Sequence, residues 1–210
     1  MRRRVEVICG SLLSEQNVLD AVKQAETLVD SVCLPSCRIA YVHKMFPNIK
    51  ISTIIDQVGS MTALEKQNCS HLVYKYGASI LDYQLNTSMI LDKKYAYIIN
   101  ELGKITEFCQ NNSIELRPVV DFHHLDNKSL LKVAEIIVSR DIKHVISSFG
   151  GSISDIITAV KIVSKKTPLQ VIPTVRVTNQ QEFNVLSQFN LFGVRFNSPV
   201  ALKFCGVLHK

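Results

Sequence analysis

The sequence predicts a TIM (β/α)8 barrel, and three observations support this fold class. Short β-rich runs and helix-like stretches alternate along the 210 residues. The β-rich runs are apolar on both faces, which is typical of buried parallel strands. No glycine-rich G-x-G-x-x-G follows the first run, which removes the usual reason to prefer an open doubly wound sheet. We expect one domain over residues 1–210, near the small end of the range of about 200 to over 400 residues for this fold.

Eight short runs are the strand candidates, and turn or helix signals separate them. Each run is followed by a helix candidate or by a segment of helix length, as repeated βα units require. The runs cover residues 5–9, 31–34, 49–55, 79–85, 116–122, 144–148, 169–175 and 193–196.

The helix candidates place apolar residues at helical spacing. The stretch 14–29 opens with Ser14 as a capping residue and then repeats apolar positions along one side. The same scheme recurs in the stretches 126–140 and 152–166, and the segments 178–189 and 198–208 close the series. Together with the strands, these helices complete the expected barrel.

Composition limits the classes of function. The net charge is +6 with scattered basic residues, and we find no nucleic-acid-binding motif. No apolar run reaches the ~20 residues of a membrane helix, so we expect neither nucleic acid nor membrane as a partner. The cysteines are too dispersed for a disulfide scaffold, and free thiols in a reducing, cytoplasmic compartment are the simplest interpretation. They are Cys9, Cys33, Cys37, Cys69, Cys109 and Cys205.

In a TIM barrel the active site lies at the C-terminal ends of the strands. Asp82 draws attention there, because a carboxylate in mid-strand is unfavourable unless it is paired or faces a polar centre. Arg117, on the next strand, is the partner that we expect. A purely structural ion pair and a catalytic one both stay open. The other polar candidates are Cys9, Ser11, Cys33, Asp56, Asn86, Asp121, His123, Ser147, Ser148, Thr174, Asn197 and Ser198.

The segment KHVISSFGG, residues 143–151, has the form of a strand followed by a glycine turn. Its serines lack the G-x-S-x-G context of a serine nucleophile, and they would equally satisfy backbone groups. Gly150 and Gly151 could present amides to a phosphate or form a tight turn. For metals, His123 with Asp82 and Asp121 is too small a set, so we expect no metal and no other cofactor.

Seven segments together carry a family resemblance, in order and at matching spacing. They are DSVCLPS (30–36), IKISTIIDQVGS (49–60), KYGASILDYQLN (75–86), IELRPVVDF (114–122), RDIKHVISSFGG (140–151), LQVIPTVRVTNQQEF (169–183) and GVRFNSPVAL (193–202). With these segments the chain resembles the deoxyribose-5-phosphate aldolase family, class I aldolases on a TIM barrel. The likeness runs from about Val5 to Ala201.

Part of the family site is retained, as far as the resemblance implies. Asp82 matches the aspartate that relays protons, and Asn86 matches the asparagine that ends the same strand. Cys33 matches a cysteine lining the pocket. Arg117 stands for a lysine and Asp121 for a glutamate, so both keep their charge.

Other family positions are changed. The resemblance puts the Schiff-base lysine on Ser147 and the lysine that lowers its pKa on Val171. The phosphate-binding glycine pair falls on Thr174–Val175, and the aspartate of the first strand falls on Cys9. The phosphate contacts that remain are Gly150, Gly151 and Ser198.

Serine cannot form the iminium that class I aldol chemistry needs. Other lysines considered as substitutes are expected to lie away from the centre: Lys143, Lys161, Lys165, Lys166 and Lys203. We therefore expect a diverged aldolase barrel without Schiff-base activity, which either binds a sugar phosphate or another small anion or keeps a different, unidentified reaction. Two alternatives stay open, an active deoxyribose-phosphate lyase with a displaced nucleophile and a structural or interaction subunit with a vestigial pocket. A homodimer is also left open.

Overall fold

All eight predicted strands form, and they close into a parallel barrel in sequence order, with β8 paired to β1. The computed structural model describes residues 4–10, 13–148, 153–177, 181–182, 184 and 191–196. The predicted fold class is therefore confirmed. The strands are β1 Arg4–Ile8, β2 Ser31–Cys33, β3 Ile51–Ile55, β4 Ile80–Gln84, β5 Glu115–Val120, β6 His144–Ser147, β7 Gln170–Val175 and β8 Gly193–Phe196.

Helices follow the first six strands, and two of them follow β4. The predicted stretches 14–29, 126–140 and 152–166 each contain a helix whose ends lie within four residues of the predicted ones, while 198–208 and most of 178–189 lie outside the described residues. The helices are α1 Glu15–Ala25, α2 Ser36–Met45, α3 Ala63–Lys75, α4 Thr87–Leu91, α5 Tyr95–Asn111, α6 Asn127–Val138 and α7 Ile153–Lys166, with a 3-10 turn at Phe122–His124.

Side-chain caps set where several helices begin. Ser14 accepts a hydrogen bond from the Asn17 amide, as its predicted capping role requires. Thr62 and Glu65 form a reciprocal capping box at α3, and Asp126 caps α6 through the Ser129 amide. Because these caps satisfy amides that have no partner within the helix, each helix starts at a fixed distance from the strand before it.

Alternate residues of each strand face the barrel interior or the helices. On β5, Arg117 and Val119 lie on one face, and Val119 packs with Ile146 and Ile172 in a small apolar cluster. The main core instead joins outward-facing residues such as Val145 and Val171 to the helices. The register thus assigns Ile146 and Ile172 to the barrel interior and their neighbours to the helix layer.

The N-terminal end of the barrel is closed by a polar group. The His144 ring lies 3.0 Å from a Glu115 carboxylate oxygen and 3.0 Å from the Gln170 amide oxygen. It also stacks on Phe192 with ring centroids 4.9 Å apart. This end is therefore filled by side chains, and the C-terminal end is where a ligand could enter. No helix among the described residues has the length and apolar character needed to cross a membrane.

Candidate functional site

Four charged side chains occupy the barrel interior, and we call Glu6, Asp82, Arg117 and Arg195 the charge quartet. The predicted ion pair between Arg117 and Asp82 forms in a forked geometry, with Nε 2.7 Å from Oδ1 and Nη2 3.0 Å from Oδ2. The same Nη2 also reaches Glu6, at 2.9 Å from Oε1 and 3.2 Å from Oε2. Arg117 thus joins the two carboxylates across the barrel.

Arg195 closes the quartet from the other side. Its guanidinium donates through Nε to Glu6 and through Nη2 to Asp82. Two serine hydroxyls complete the shell of Glu6, Ser31 at 2.6 Å and Ser52 at 2.8 Å from Oε1. Two cations and two anions therefore balance within the quartet.

All four members are almost completely buried, and the pKa values of Glu6 and the two arginines follow from opposing effects. Burial alone would raise the pKa of Glu6, but Arg117 and Arg195 outweigh it and hold that pKa far below its usual range. Burial would lower the pKa of each guanidinium, but Asp82 and Glu6 raise both above their ordinary value. Glu6 and the two guanidiniums are therefore ionised at neutral pH.

The strands also restrict what the interior could do chemically. Asp82 is 0% exposed, and each of its oxygens accepts from a guanidinium. None of the eight described strands contains a lysine. An arginine stays protonated and cannot condense with a carbonyl. The barrel centre therefore holds charge without holding a nucleophilic amine.

Ser147 and Val171, where the resemblance puts the two family lysines, face the helix layer. Val171 is part of the main core. Ser147 lines a cavity of about 310 Å3 together with residues of α6 and α7 such as Leu130 and Ile156. Its hydroxyl accepts from the Thr174 amide at 3.3 Å. The structure thus does not bring Ser147 together with Asp82 and Arg117.

The inward-facing neighbours of those two positions are Ile146 on β6 and Gln170 and Ile172 on β7. A shift of one residue exchanges the two faces of a strand, so transferring a residue by similarity needs the register to be right to one position. Neither face of these two strands offers an amine within the described residues. Among the described residues, therefore, no lysine of these two strands faces the centre in either register.

A second cavity, of about 230 Å3, lies at the C-terminal mouth of the barrel, and we call it the mouth cavity. It lies between the ends of β3, β4, β5 and β6, and its polar lining includes Gln84, Thr87, Ser88, Asp121 and Ser148. Asp121 Oδ1 and the Ser148 hydroxyl are buried and make no hydrogen bond within the described protein. The other Asp121 oxygen lies 2.7 Å from His124 Nδ1. Two residues of the mouth lining thus each have a buried polar atom without a hydrogen-bond partner.

Three more of the predicted site residues that the structure describes are Asn86, Cys33 and Thr174. Asn86 caps α4 by accepting from the Met89 amide at 3.1 Å. Burial raises the pKa of Cys33 to about 12, so its thiol stays protonated. Thr174 is buried on β7. Gly150, Gly151 and Ser198 lie outside the described residues. In the part of the chain that is described, no group of three His, Cys, Asp or Glu side chains is arranged to hold a metal.

Sequence reasoning missed four buried charges among the described residues, Glu6, Arg195, Lys66 and Glu101. The first two carried a readable signal, since each is a charged residue inside an apolar strand, as Asp82 is. Lys66 lies on α3 and gave no such signal. It is 0% exposed, and its amine contacts the Gln84 carbonyl at 2.8 Å, Glu101 at 2.9 Å and Asp56 at 3.3 Å.

Lys66 also organises one wall of the mouth cavity. Asp56 has a left-handed backbone, with φ 62°, which few non-glycine residues adopt. Its carboxylate accepts from the amides of Ser60 and Met61, at 2.8 and 3.1 Å, and pairs with Lys66. The loop between Asp56 and Ser60 lines the mouth through Val58 and Gly59. The buried amine therefore anchors this wall from behind.

Comparison with known proteins identifies one group of relatives. No family model matches the sequence. The deoxyribose-phosphate aldolase of Treponema denticola is 24% identical over 178 residues, which cover 80% of this chain and 82% of that protein. The deoxyribose-phosphate aldolase of Metamycoplasma hominis is 25% identical over 125 residues, 58% and 57% of the two chains.

A solved structure of the deoxyribose phosphate aldolase from Aeropyrum pernix, described as tetrameric, superposes with a TM-score of 0.78 at 13% identity. The alignment covers 98% of this chain and 90% of that one. At that identity the superposition supports the barrel fold and carries no residue roles.

Proposed function

The chain is a homologue of the deoxyribose-phosphate aldolases on a TIM barrel, and we propose that it does not perform Schiff-base aldol chemistry. Its barrel serves instead to bind a small ligand at the mouth cavity. The charge quartet is the observation that carries this proposal. It fills the barrel centre with charged side chains that pair with one another, and none of them is an amine that could attack a carbonyl.

The state of Asp82 supports the loss of activity. A general acid or base must exchange a proton with the reacting group, and it needs a contact with that group to do so. Both oxygens of Asp82 are engaged by guanidiniums and its side chain is buried. Asp82 therefore acts as a structural anion, and the proton relay that the family resemblance implies has no substrate-facing end.

The alternative of a displaced nucleophile is best represented by Lys66, since it is a buried lysine close to the mouth. Its amine is occupied by two carboxylates and a backbone carbonyl, and it does not line the mouth cavity. A Schiff base requires a neutral amine with open access to the carbonyl carbon. Lys66 lacks that access, because its amine is enclosed by its three partners.

A purely structural role with a vestigial pocket is the other alternative, and the mouth cavity argues against it. A cavity without a role would be expected to satisfy its buried polar atoms internally, because each unpaired group is unfavourable by about 1–3 kcal/mol. Asp121 and Ser148, which both line the mouth cavity, each have one buried polar atom without a hydrogen-bond partner. A ligand-binding role accounts for them.

The test is to trap the intermediate that the proposal excludes. The protein is incubated with 2-deoxy-D-ribose 5-phosphate and sodium borohydride and then weighed by mass spectrometry, with an active aldolase of the family treated in parallel. We expect an adduct on the control only, and no acetaldehyde release at high protein concentration. A reduced adduct on this chain would refute the proposal, and its loss in Lys66→Met but not in Lys132→Met would locate the nucleophile.

A further inference from the structure

The mouth cavity is large enough only for a very small molecule. Its volume of about 230 Å3 lies below the range of roughly 300–1,000 Å3 found for drug-sized ligands. It is bounded by four consecutive strand ends, and beneath it the barrel is closed by the charge quartet. A ligand of a few carbon atoms therefore fits, and a longer one would have to leave the cavity.

Hydroxyl groups on a ligand would satisfy the unpaired atoms of Asp121 and Ser148, two residues that line the cavity. An ionised Asp121 can only accept hydrogen bonds, so its Oδ1 needs a donor. The Ser148 hydroxyl can donate or accept, so it suits either side of a ligand hydroxyl. A molecule with two or more neighbouring hydroxyls would satisfy both atoms together.

The charge of the lining opposes an anion. Asp121 is the charged side chain among the described lining residues, and neither lysine nor arginine occurs among them. The charge quartet below adds no net positive charge, because its two guanidiniums are balanced by two carboxylates. Two like charges repel each other, and water weakens this repulsion less in a partly buried site than in bulk solvent. A phosphate close to Asp121 would therefore bind less well than a neutral group.

We propose that the mouth cavity binds a small neutral polyhydroxylated molecule, such as an unphosphorylated pentose or pentitol, in preference to its phosphate ester. Asp121 and Ser148 are the specificity-determining residues. This deepens the proposed function, since it assumes that the mouth binds a ligand, and it replaces the anionic ligand that the sequence led us to expect.

The experiment compares matched pairs of probes on the full chain. Ribitol and ribitol 5-phosphate, and 2-deoxy-D-ribose and its 5-phosphate, are titrated by protein NMR. We expect each parent compound to bind about tenfold more tightly than its ester. Asp121→Asn removes a charge-assisted acceptor but keeps the shape, so it should weaken the parent compounds by about tenfold and the esters much less. Ser148→Ala should weaken the parents by about threefold.

Asp92→Asn is the matched control, because Asp92 is exposed and pairs with Lys94 away from the mouth, and it should change nothing. Tighter binding of the esters, unchanged binding in Asp121→Asn and Ser148→Ala, or no binding of either parent compound would each overturn the inference. A borohydride adduct with deoxyribose 5-phosphate would instead refute the proposed lack of aldolase chemistry, and it would leave the measured preference at the mouth as a separate result.

Discussion

The charge quartet inside the barrel joins two cations to two anions, whereas Lys66, in the helix layer, faces two carboxylates alone. In the quartet every carboxylate oxygen has a donor. In the second group, which we call the Lys66 cluster, Glu101 accepts from Lys66 and from Tyr83 through one oxygen, and its Oε2 has no hydrogen-bond partner. The interior group is balanced, and the outer one carries excess negative charge.

The difference concerns where each type of cation is placed. An arginine guanidinium pairs with a carboxylate in a fixed, forked geometry and cannot act as a nucleophile. A lysine amine can pair with a carboxylate, and under the right conditions it can also attack a carbonyl. The barrel interior, which lies beneath the C-terminal face where active sites of this fold are found, holds the arginines. The buried lysine lies behind the strands, where it supports a loop. Both clusters therefore serve structure, and the mouth cavity is left for binding.

Removing one cation from the quartet should have the largest effect. Arg117→Met leaves Glu6 and Asp82 buried with Arg195 alone, and uncompensated buried charges cost about 3–5 kcal/mol. Urea denaturation followed by circular dichroism measures the loss of unfolding free energy. Arg38→Met is the control, because its pair with Glu15 is partly exposed and should contribute less than about 1 kcal/mol. A loss for Arg117→Met as small as that of the control would contradict the structural role of the quartet.

Lys66→Met should be the next most damaging change. It leaves two carboxylates facing each other, but Asp56 keeps its two backbone donors, so we expect a loss of about 3 kcal/mol. The exposed Lys132, which pairs with Glu135, gives the matched variant Lys132→Met, which should lose little. Because Lys66 anchors the loop at the mouth, its variant should also weaken ribitol binding. Unchanged stability would show that the Lys66 cluster is not an essential ion group.

The pH dependence of stability should distinguish Glu6 from an ordinary carboxylate. The guanidiniums hold the pKa of Glu6 in the folded protein far below its ordinary value of 4.5, so the unfolded chain takes up a proton first as pH falls. Its stabilising contribution is complete above about pH 5 and is lost progressively below that, on the order of 2 kcal/mol.

Glu6→Gln removes this ionisation, and its unfolding free energy should therefore fall less steeply than that of the unchanged protein between pH 6 and pH 3. Thermal and urea unfolding at each pH give the two curves. The exposed Glu135→Gln should keep the original slope. Parallel curves for Glu6→Gln and the unchanged protein would mean that Glu6 is not ionised in the quartet.

The smallest expected effect is a difference in reactivity between the thiols of Cys33 and Cys37, which involves no change in stability. Burial raises the pKa of Cys33 to about 12, and the thiolate is the reactive form. Iodoacetamide at pH 8 should therefore modify the exposed Cys37 much faster than Cys33, as fragment mass spectra of the peptide that contains both can show. Equal rates would mean that the barrel centre opens to solvent.

Much of the fold could be predicted because its signals are local. Apolar runs with turn signals between them predicted all eight strands, and helical spacing predicted α1, α6 and α7. The ion pair between Asp82 and Arg117 could be predicted because a charged residue inside an apolar strand needs a partner of opposite charge. The same rule applied to Glu6 and Arg195 would have given the whole quartet, but their strands at the two ends of the chain are joined only once the barrel closes.

The rest depended on information that the sequence does not carry locally. Whether Ser147 or Ile146 faces the interior is decided by a register of one residue, which a weak similarity cannot fix. Lys66 could not be recognised because its partners come from three other parts of the chain, at Asp56, Gln84 and Glu101. The unpaired atoms of the mouth cavity likewise exist only once several strand ends meet.

The quartet also sets an order of events during synthesis. Arg195 bonds to Glu6 across 189 residues and to Asp82 across 113, and Arg117 reaches Glu6 across 111. A chain that emerges N-terminus first exposes both carboxylates before either guanidinium. The early strands therefore surround two hydrated carboxylates, which cannot be fully removed from water until the eighth strand supplies Arg195. The last strand made is thus the one that completes the interior, and a nascent chain stopped short of it should remain open to proteases.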